Sequence, residues 1–174
     1  MMLKKLKSLS DYVDKISVII ASIAIALILI ISIYGAIFRY ILNNPLPWPL
    51  PIERILMIWG ALFGIAAALK RAQHMGVEGL IKQFPKRMEL TIRYAGFLLI
   101  LLFVVILFWY GWLELINNND TYMITRKIRI SSRWLVAAIP VSALIQLIHL
   151  LTAPYLIKEE MEKDLTEEYL EKEI

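Results

Sequence analysis

The stretch ISVIIASIAIALILIISIYGAIF, residues 16–38, runs for 23 positions without a charged side chain. A bilayer hydrocarbon core about 30 Å thick needs roughly 20 helical residues at 1.5 Å each, so this segment is long enough to cross. Three more charge-free blocks follow, at 55–69, 94–113 and 134–157. The last two are long enough by themselves. Block 55–69 has 15 residues, about 22 Å of helix. It crosses only if Ile52 to Arg54 and Lys70 sit in the headgroup zone, with the long side chains snorkelling outward. The pattern predicts an all-α integral membrane protein with four transmembrane helices, over about 14–40, 52–71, 90–116 and 132–157. Residues 1–157 then form one membrane domain and 158–174 a charged tail.

The whole composition agrees with this. Hydrophobic residues make up 59% of the 174-residue chain, against about 45–50% in soluble domains, and mean hydropathy is +0.65. A cleaved signal peptide is a poor reading of the first block: its apolar region is too long, and no small-x-small cleavage site follows. The first helix is expected to be a retained anchor. With no cysteine in the chain, thiol exchange and thiolate metal sites are excluded. Lysine and arginine number 13 on the face holding both termini and the second connection, against six on the other. The positive-inside rule therefore puts both termini in the cytoplasm.

The outer connection, NNPLPWPLPIE at 43–53, holds four of the chain's seven prolines, at 45, 47, 49 and 51. Proline fixes φ near −65° and lacks an N–H, so alternate prolines favour an extended, pre-ordered segment. Trp48 suits the headgroup zone. Pro51 can open span two at its first turn, with Glu53 near the positive end of the helix dipole. The segment reads either as a rigid hinge that also docks a partner or as a stiff turn without one.

Other connections are less specific. Leucines alternate with lysines in MMLKKLKSLSDYVDK, which fits an interfacial helix on anionic lipid or an ordinary basic flank, and Ser8 with Asp11 has capping-box spacing. The second connection is basic and amphipathic, with room for a short surface helix before Pro85. In the third, YMITRKIRI alternates apolar and polar residues and suggests an extended piece; Ser131 or Ser132 can cap the fourth span. Pro140 predicts a kink within it. The tail reads as a solvated helix, with Met161, Leu165 and Tyr169 at four-residue intervals.

Within the spans, Gly60, Gly64 and Ala68 repeat every fourth residue. Such a small-residue stripe lets another helix approach closely, whether from this chain or from a partner subunit. Ionisable groups are scarce. Gln146 and His149 share a face of span four, and Glu114 sits at the outer edge of span three. No acid lies deep in a span, as a proton-coupled small exporter would need. Two histidines are too few for a four-ligand dihaem anchor, and neither a phosphate loop nor an HExxH site occurs. No feature points to nucleic acid. The chain therefore reads as a scaffold without a cofactor or catalytic centre. The rival reading is an independent membrane enzyme or homo-oligomeric channel that uses Gln146 and His149.

Taken together, RYILNNPLPW, then RILMIWGALFGIAAALKRAQHMGVEGL, then Pro140 resemble the small four-helix membrane subunit of tripartite ATP-independent periplasmic (TRAP) transporters. Arg39 and Tyr40 match the family's Arg–aromatic pair at the end of span one, and Asn44, Pro45, Leu46 and Trp48 its short outer loop. Arg54 and Trp59 fall at its spacing, Gly64 matches its glycine in span two, and Arg71, His74, Val77 and Glu78 match its basic–His–Val–acid exit, where aspartate is more usual. One departure stands out: the family's acids after the tryptophan are replaced here by Leu50 and Pro51, with Glu53 two or three residues later.

The resemblance implies a non-enzymatic subunit in a bacterial or archaeal plasma (inner) membrane. An extracytoplasmic solute-binding protein would capture an organic anion, and a separate large multi-span subunit would carry the substrate and sodium sites. The small subunit would brace that large one among the membrane lipids and help receive the binding protein. Candidate subunit contacts are Gly60, Gly64, Ala68, Arg39 and Trp59, and candidate docking residues Pro45, Trp48 and Glu53. Arg71, His74 and Glu78 would structure the cytoplasmic exit of span two.

Overall fold

In a computed structural model, residues 2–75 and 85–152 are described. Helix α1 covers Met2–Ala36 and continues as a π-helical turn, Ile37–Ile41. Its basic start is part of the same helix, so no separate interfacial helix precedes the span. Ser8 lies inside α1 and is not an N-cap, which overturns the capping-box expectation. The helix stops where the sequence turns to asparagine: Asn43 takes φ 49°, a left-handed conformation that asparagine tolerates better than most residues. The Asn44 amide then closes the end on the Phe38 carbonyl at 2.9 Å.

Helix α2, Pro49–Met75, begins earlier than expected. Of the four loop prolines, Pro45 and Pro47 stay outside helix, whereas Pro49 and Pro51 occupy the first turn of α2. There a missing N–H costs nothing, because first-turn amides have no intrahelical acceptor. Helix α3 is Lys86–Asn117, started by Pro85, whose carbonyl accepts the Met88 and Glu89 amides at 2.8 and 3.1 Å. A two-stranded antiparallel hairpin follows, β1 (Thr121–Met123) with β2 (Arg129–Ser131), pairing Tyr122 with Ile130. The expected extended piece is thus split by a turn at 124–128.

The fourth crossing is broken into α4, Arg133–Val136, and α5, Ala138–Leu150. The interruption at Ala137 lies three residues before Pro140, whose missing N–H leaves the Val136 carbonyl without its helical partner. Ser132 sits at the N-cap of α4 without a side-chain bond, while the Ser131 hydroxyl accepts the Arg133 amide at 3.3 Å. The expected surface helix before Pro85, the end of the fourth span and the tail lie outside the described residues.

Four segments are long and apolar enough to cross a membrane: Leu6–Ile41, Pro49–Arg71, Thr91–Asn117 and Arg133–Leu150. They pack α1 on α2, α2 on α5, and α5 on α3, so the last crossing lies between the second and third. That inner place explains why 39% of its residues are buried, against 11% in the most apolar stretch of α3. Val104, Ala143 and Leu150 form the core there, flanked by Leu69, Phe97 and Leu101. Gly111 permits the close α3–α5 approach: a Cβ there would stand 2.7 Å from Ile139 Cγ2 and 3.2 Å from Pro140 Cδ.

Two levels of side-chain bonds bracket the apolar zone. At one, Lys70 pairs with Asp11; at the other, Ser32 donates to Glu53 at 3.0 Å. From Asp11 to Ser32 is about 32 Å of helix, and from Glu53 to Lys70 about 26 Å. Both are close to the roughly 30 Å of a bilayer core. The helix through the short block 55–69, extended to Glu53 and Lys70, is therefore about as long as a bilayer core is thick.

Candidate subunit interface

The small-residue stripe of α2 divides between two uses, and helix geometry explains how. At 3.6 residues per turn, each four-residue step turns about 40° around the axis. Gly60, Gly64 and Ala68 therefore drift around the helix instead of sharing one line. Gly60 is buried against α1, where a Cβ would lie 2.9 Å from the Ala24 methyl. A Cβ at Gly64 would meet nothing within 4 Å, and Ala68 is exposed. Gly64 and Ala68 instead line an open groove of about 440 Å³ with Val18, Ser22, Ile25 and Arg71. The groove follows the α1–α2 seam and is mostly apolar, with the half-exposed Arg71 guanidinium at one end.

At the loop end of the bundle, a smaller cleft of about 170 Å³ brings Arg39 and Glu53 together with Ser32, Tyr40 and Leu46. Ser32 holds the Glu53 carboxylate, and Arg39 is exposed beside it. Gly35 passes so close to Pro49 that a Cβ would lie 3.3 Å from its ring, which seats the loop against α1. Trp48 packs on Tyr34 with ring centres 5.9 Å apart, while Pro45 is exposed. The Tyr122 hydroxyl donates to the Pro51 carbonyl at 3.2 Å, tying the hairpin to the start of α2. Arg133 clips the third connection, donating to the Asn118 carbonyl at 2.7 Å and to Asn119 Oδ1 at 2.9 Å. Trp59 faces inward in part: its indole donates to the Trp134 carbonyl at 3.0 Å and its ring stacks on Phe63.

The opposite end holds a polar cluster that the sequence reading passed over. Lys70 is 8% exposed and its ammonium reaches Asp11 Oδ1 at 2.5 Å. Ser10 Oγ lies 2.8 Å from His149 Nδ1, and Arg71 approaches Asp14 to 3.9 Å. Gln146 and His149 do share a face, as their spacing requires, and both are buried. The signal for the cluster was present as two matched spacings: Ser10, Asp14 and Ser17 on α1, and Ser142, Gln146 and His149 on α5, each at i, i+4, i+7. His74 lies in the last turn of α2, and Glu78 falls outside the described residues. Among the described residues, no group of three or more histidine, cysteine or acidic side chains could hold a metal ion.

The remaining surface is apolar on a scale unsuited to water. On α3 alone, Leu98, Leu99, Phe103, Trp109 and Tyr110 are each more than 60% exposed. Contiguous faces of this kind belong against lipid or another chain.

A family profile described as "Tripartite ATP-independent periplasmic transporters, DctQ component" matches residues 27–156. The chain is 26% identical over 137 residues to the "Sialic acid TRAP transporter small permease protein SiaQ" of Vibrio cholerae serotype O1 (strain ATCC 39315 / El Tor Inaba N16961), covering 79% of this chain and 78% of that one. It is also 24% identical over 131 residues to the "Sialic acid TRAP transporter permease protein SiaT" of Haemophilus influenzae (strain 86-028NP). That match covers 72% of this chain but only 21% of the longer relative, so this chain spans about a fifth of its length.

Proposed function

The chain belongs to the DctQ component family of tripartite ATP-independent periplasmic transporters, and from that premise we propose that it is a non-catalytic small membrane subunit bracing a large transport subunit. The observation that carries this reading is the divided stripe on α2. Gly60 is consumed inside the chain, while Gly64 and Ala68 stay open on an apolar groove along the α1–α2 seam. Small residues permit close helix approach in lipid, where packing replaces the hydrophobic drive. The partner we assign is a large multi-span permease. The Haemophilus relative supports that assignment, because in it the segment similar to this chain is one part of a longer permease.

The chain carries no charged side chain deep in a crossing: residues 16–38, 55–69, 94–113 and 134–157 are free of them, Asp14, Lys15 and Arg54 lie within about a turn of the rim ties, and His149 lies near the Asp11–Lys70 rim. It therefore has no group with which to couple ions itself. Ion coupling, which we take to be to sodium, and solute binding then belong to the large subunit, with an organic anion as the solute class. Both termini are assigned to the cytoplasm by charge bias. That orientation turns the Arg39–Glu53 cleft, Pro45 and Trp48 outward, where they would receive an extracytoplasmic binding protein. Gln146 and His149 do not favour the enzyme or channel reading: both are buried, and His149 already bonds Ser10.

Co-expression with the large permease of the same transporter, taken from the source genome, tests the proposal. A tagged wild-type chain should retain the large subunit through detergent extraction, and Gly64→Leu should lose most of it while still inserting in the membrane. Undiminished co-purification of Gly64→Leu removes the groove from the interface. Transport or turnover by the purified chain alone overturns the subunit reading.

A further inference from the structure

Three buried polar atoms lack a protein partner among the described residues: Asp14 Oδ1, Gln146 Nε2 and His149 Nε2. They belong to two helices that are already tied together, since Ser10 Oγ on α1 meets His149 Nδ1 on α5 at 2.8 Å. Asp14 follows Ser10 by four residues, and Gln146 precedes His149 by three. Residues at those spacings share a helix face. Because α1 is the first crossing and α5 belongs to the fourth, the two helices run in opposite directions. Both steps therefore lead the same way, about one turn or 5 Å toward the middle of the bundle. Gln146 is 3% and His149 0% exposed, so bulk solvent reaches neither.

Buried polar groups in folded proteins are paired, and those without a protein partner are typically served by an internal water making two to four bonds. The balance of donors and acceptors identifies the ligand. Gln146 Nε2 offers a hydrogen. Asp14 Oδ1 accepts one, and His149 Nε2 accepts another when its Nδ1–H donates to Ser10. A water molecule accepts from the first and donates to the other two, completing all three. A cation suits the place less well, because the unpaired Gln146 Nε2 carries N–H donors and no lone pair for it, and Lys70 and Arg71 already supply positive charge to Asp11 and Asp14.

We propose that Asp14, Gln146 and His149 hold one buried water molecule that joins α1 to α5 beneath the Ser10–His149 bond, with His149 in its Nδ1–H form. Ser10 and Asp14 lie before the residues matched by the family profile and Gln146 and His149 within them; the site is argued from the side chains alone and is independent of the transport reading.

The test uses the full-length chain in lipid nanodiscs. With ¹⁵N-labelled histidine, and the signal assigned by its loss in His149→Asn, His149 should be neutral and protonated on Nδ1 at pH 7. An Nε2–H form or an imidazolium overturns the proposal. Asp14→Ala and Gln146→Ala should each lower the melting temperature, and the double variant should fall no further than the worse single change, within about 2 °C. Ser142→Ala is the control, because its hydroxyl bonds its own helix at the Ile139 carbonyl, 2.9 Å away; its loss should add to that of Gln146→Ala. Additive losses for Asp14 and Gln146 overturn the shared ligand. Melting should be equal in sodium, potassium and choline chloride at one ionic strength, and a rise specific to one metal cation overturns water in favour of that ion. Should either alanine variant fail to insert, the histidine spectrum of the wild-type chain decides alone.

Discussion

Gly60→Ala and Gly64→Ala add the same methyl group to the same helix one turn apart, and they should move stability in opposite directions. At Gly60 the new Cβ would lie 2.9 Å from the Ala24 Cβ and 3.9 Å from the Ala21 carbonyl oxygen. Carbon pairs rest at about 3.5–4.0 Å, so α1 and α2 would have to part by roughly 0.6–1.1 Å. Neither methyl can rotate away, since each is fixed to its helix backbone. Overpacking of this kind costs about 1–3 kcal/mol, and the better helix propensity of alanine offsets up to about 1 kcal/mol. The expected net loss is centred on about 1 kcal/mol, or about 2–4 °C for a chain of this size. At Gly64 nothing lies within 4 Å, so only the propensity gain remains and melting should rise by up to about 2–4 °C. Thermal unfolding of each variant in nanodiscs, followed by tryptophan fluorescence, separates the two. A Gly60→Ala chain as stable as wild type, or a Gly64→Ala chain less stable than Gly60→Ala, would refute the division of the stripe.

The ion pair at the other end should respond asymmetrically. Asp11→Asn leaves the buried Lys70 ammonium unpaired and should cost about 3 kcal/mol, whereas Lys70→Met leaves only the half-exposed Asp11 carboxylate and should cost about 1 kcal/mol or less; equal losses in urea titration would contradict the burial assigned to Lys70. Trp59→Phe keeps the ring contact with Phe63 but removes the donor to the Trp134 carbonyl, so unfolding free energy should fall by about 1 kcal/mol, and no change would mean that the bond is exchanged freely for water. Arg39→Ala should reduce solute uptake by cells expressing the whole transporter more than Lys5→Ala does, and indistinguishable uptake would put Arg39 among the simple lipid anchors.

The crossings were legible because a bilayer imposes a length, and charge-free runs of that length are visible without knowing what they touch. The same is true of the stop at Asn43 and the break before Pro140, which are local backbone effects. Which helices neighbour one another was not legible. The placement of α5 between α2 and α3 depends on fits such as Gly111 against Ile139 and Pro140, and a lone glycine in an apolar run gives no sign of the partner it admits. The stripe at Gly60, Gly64 and Ala68 was seen, but its repeat of four does not match the helical repeat of 3.6, so one stripe serves two surfaces. Asp11 and Asp14 were masked by their lysine neighbours and read as part of a basic flank. Their partners Lys70 and Arg71 lie more than fifty residues away, and no local pattern records that pairing.

That pairing bears on how the subunit could brace another chain. Between its two rims α1 meets α2 through small side chains, with Ala21 and Ala24 buried and Gly60 opposite. Contacts between small groups fix the separation of two helices well but resist sliding poorly, because a smooth face offers no knobs to interlock. The bonds at the rims supply what the seam lacks. Asp11 to Lys70 at one end and Ser32 to Glu53 at the other lie about 32 Å apart along α1 and fix its register against α2 at two distant points. Loss of one tie alone leaves the helix pinned at the other end and free to pivot. Asp11→Asn combined with Ser32→Ala should therefore weaken retention of the large subunit by more than the two single changes predict. Retention equal to that product would mean that the small-residue seam holds register by itself.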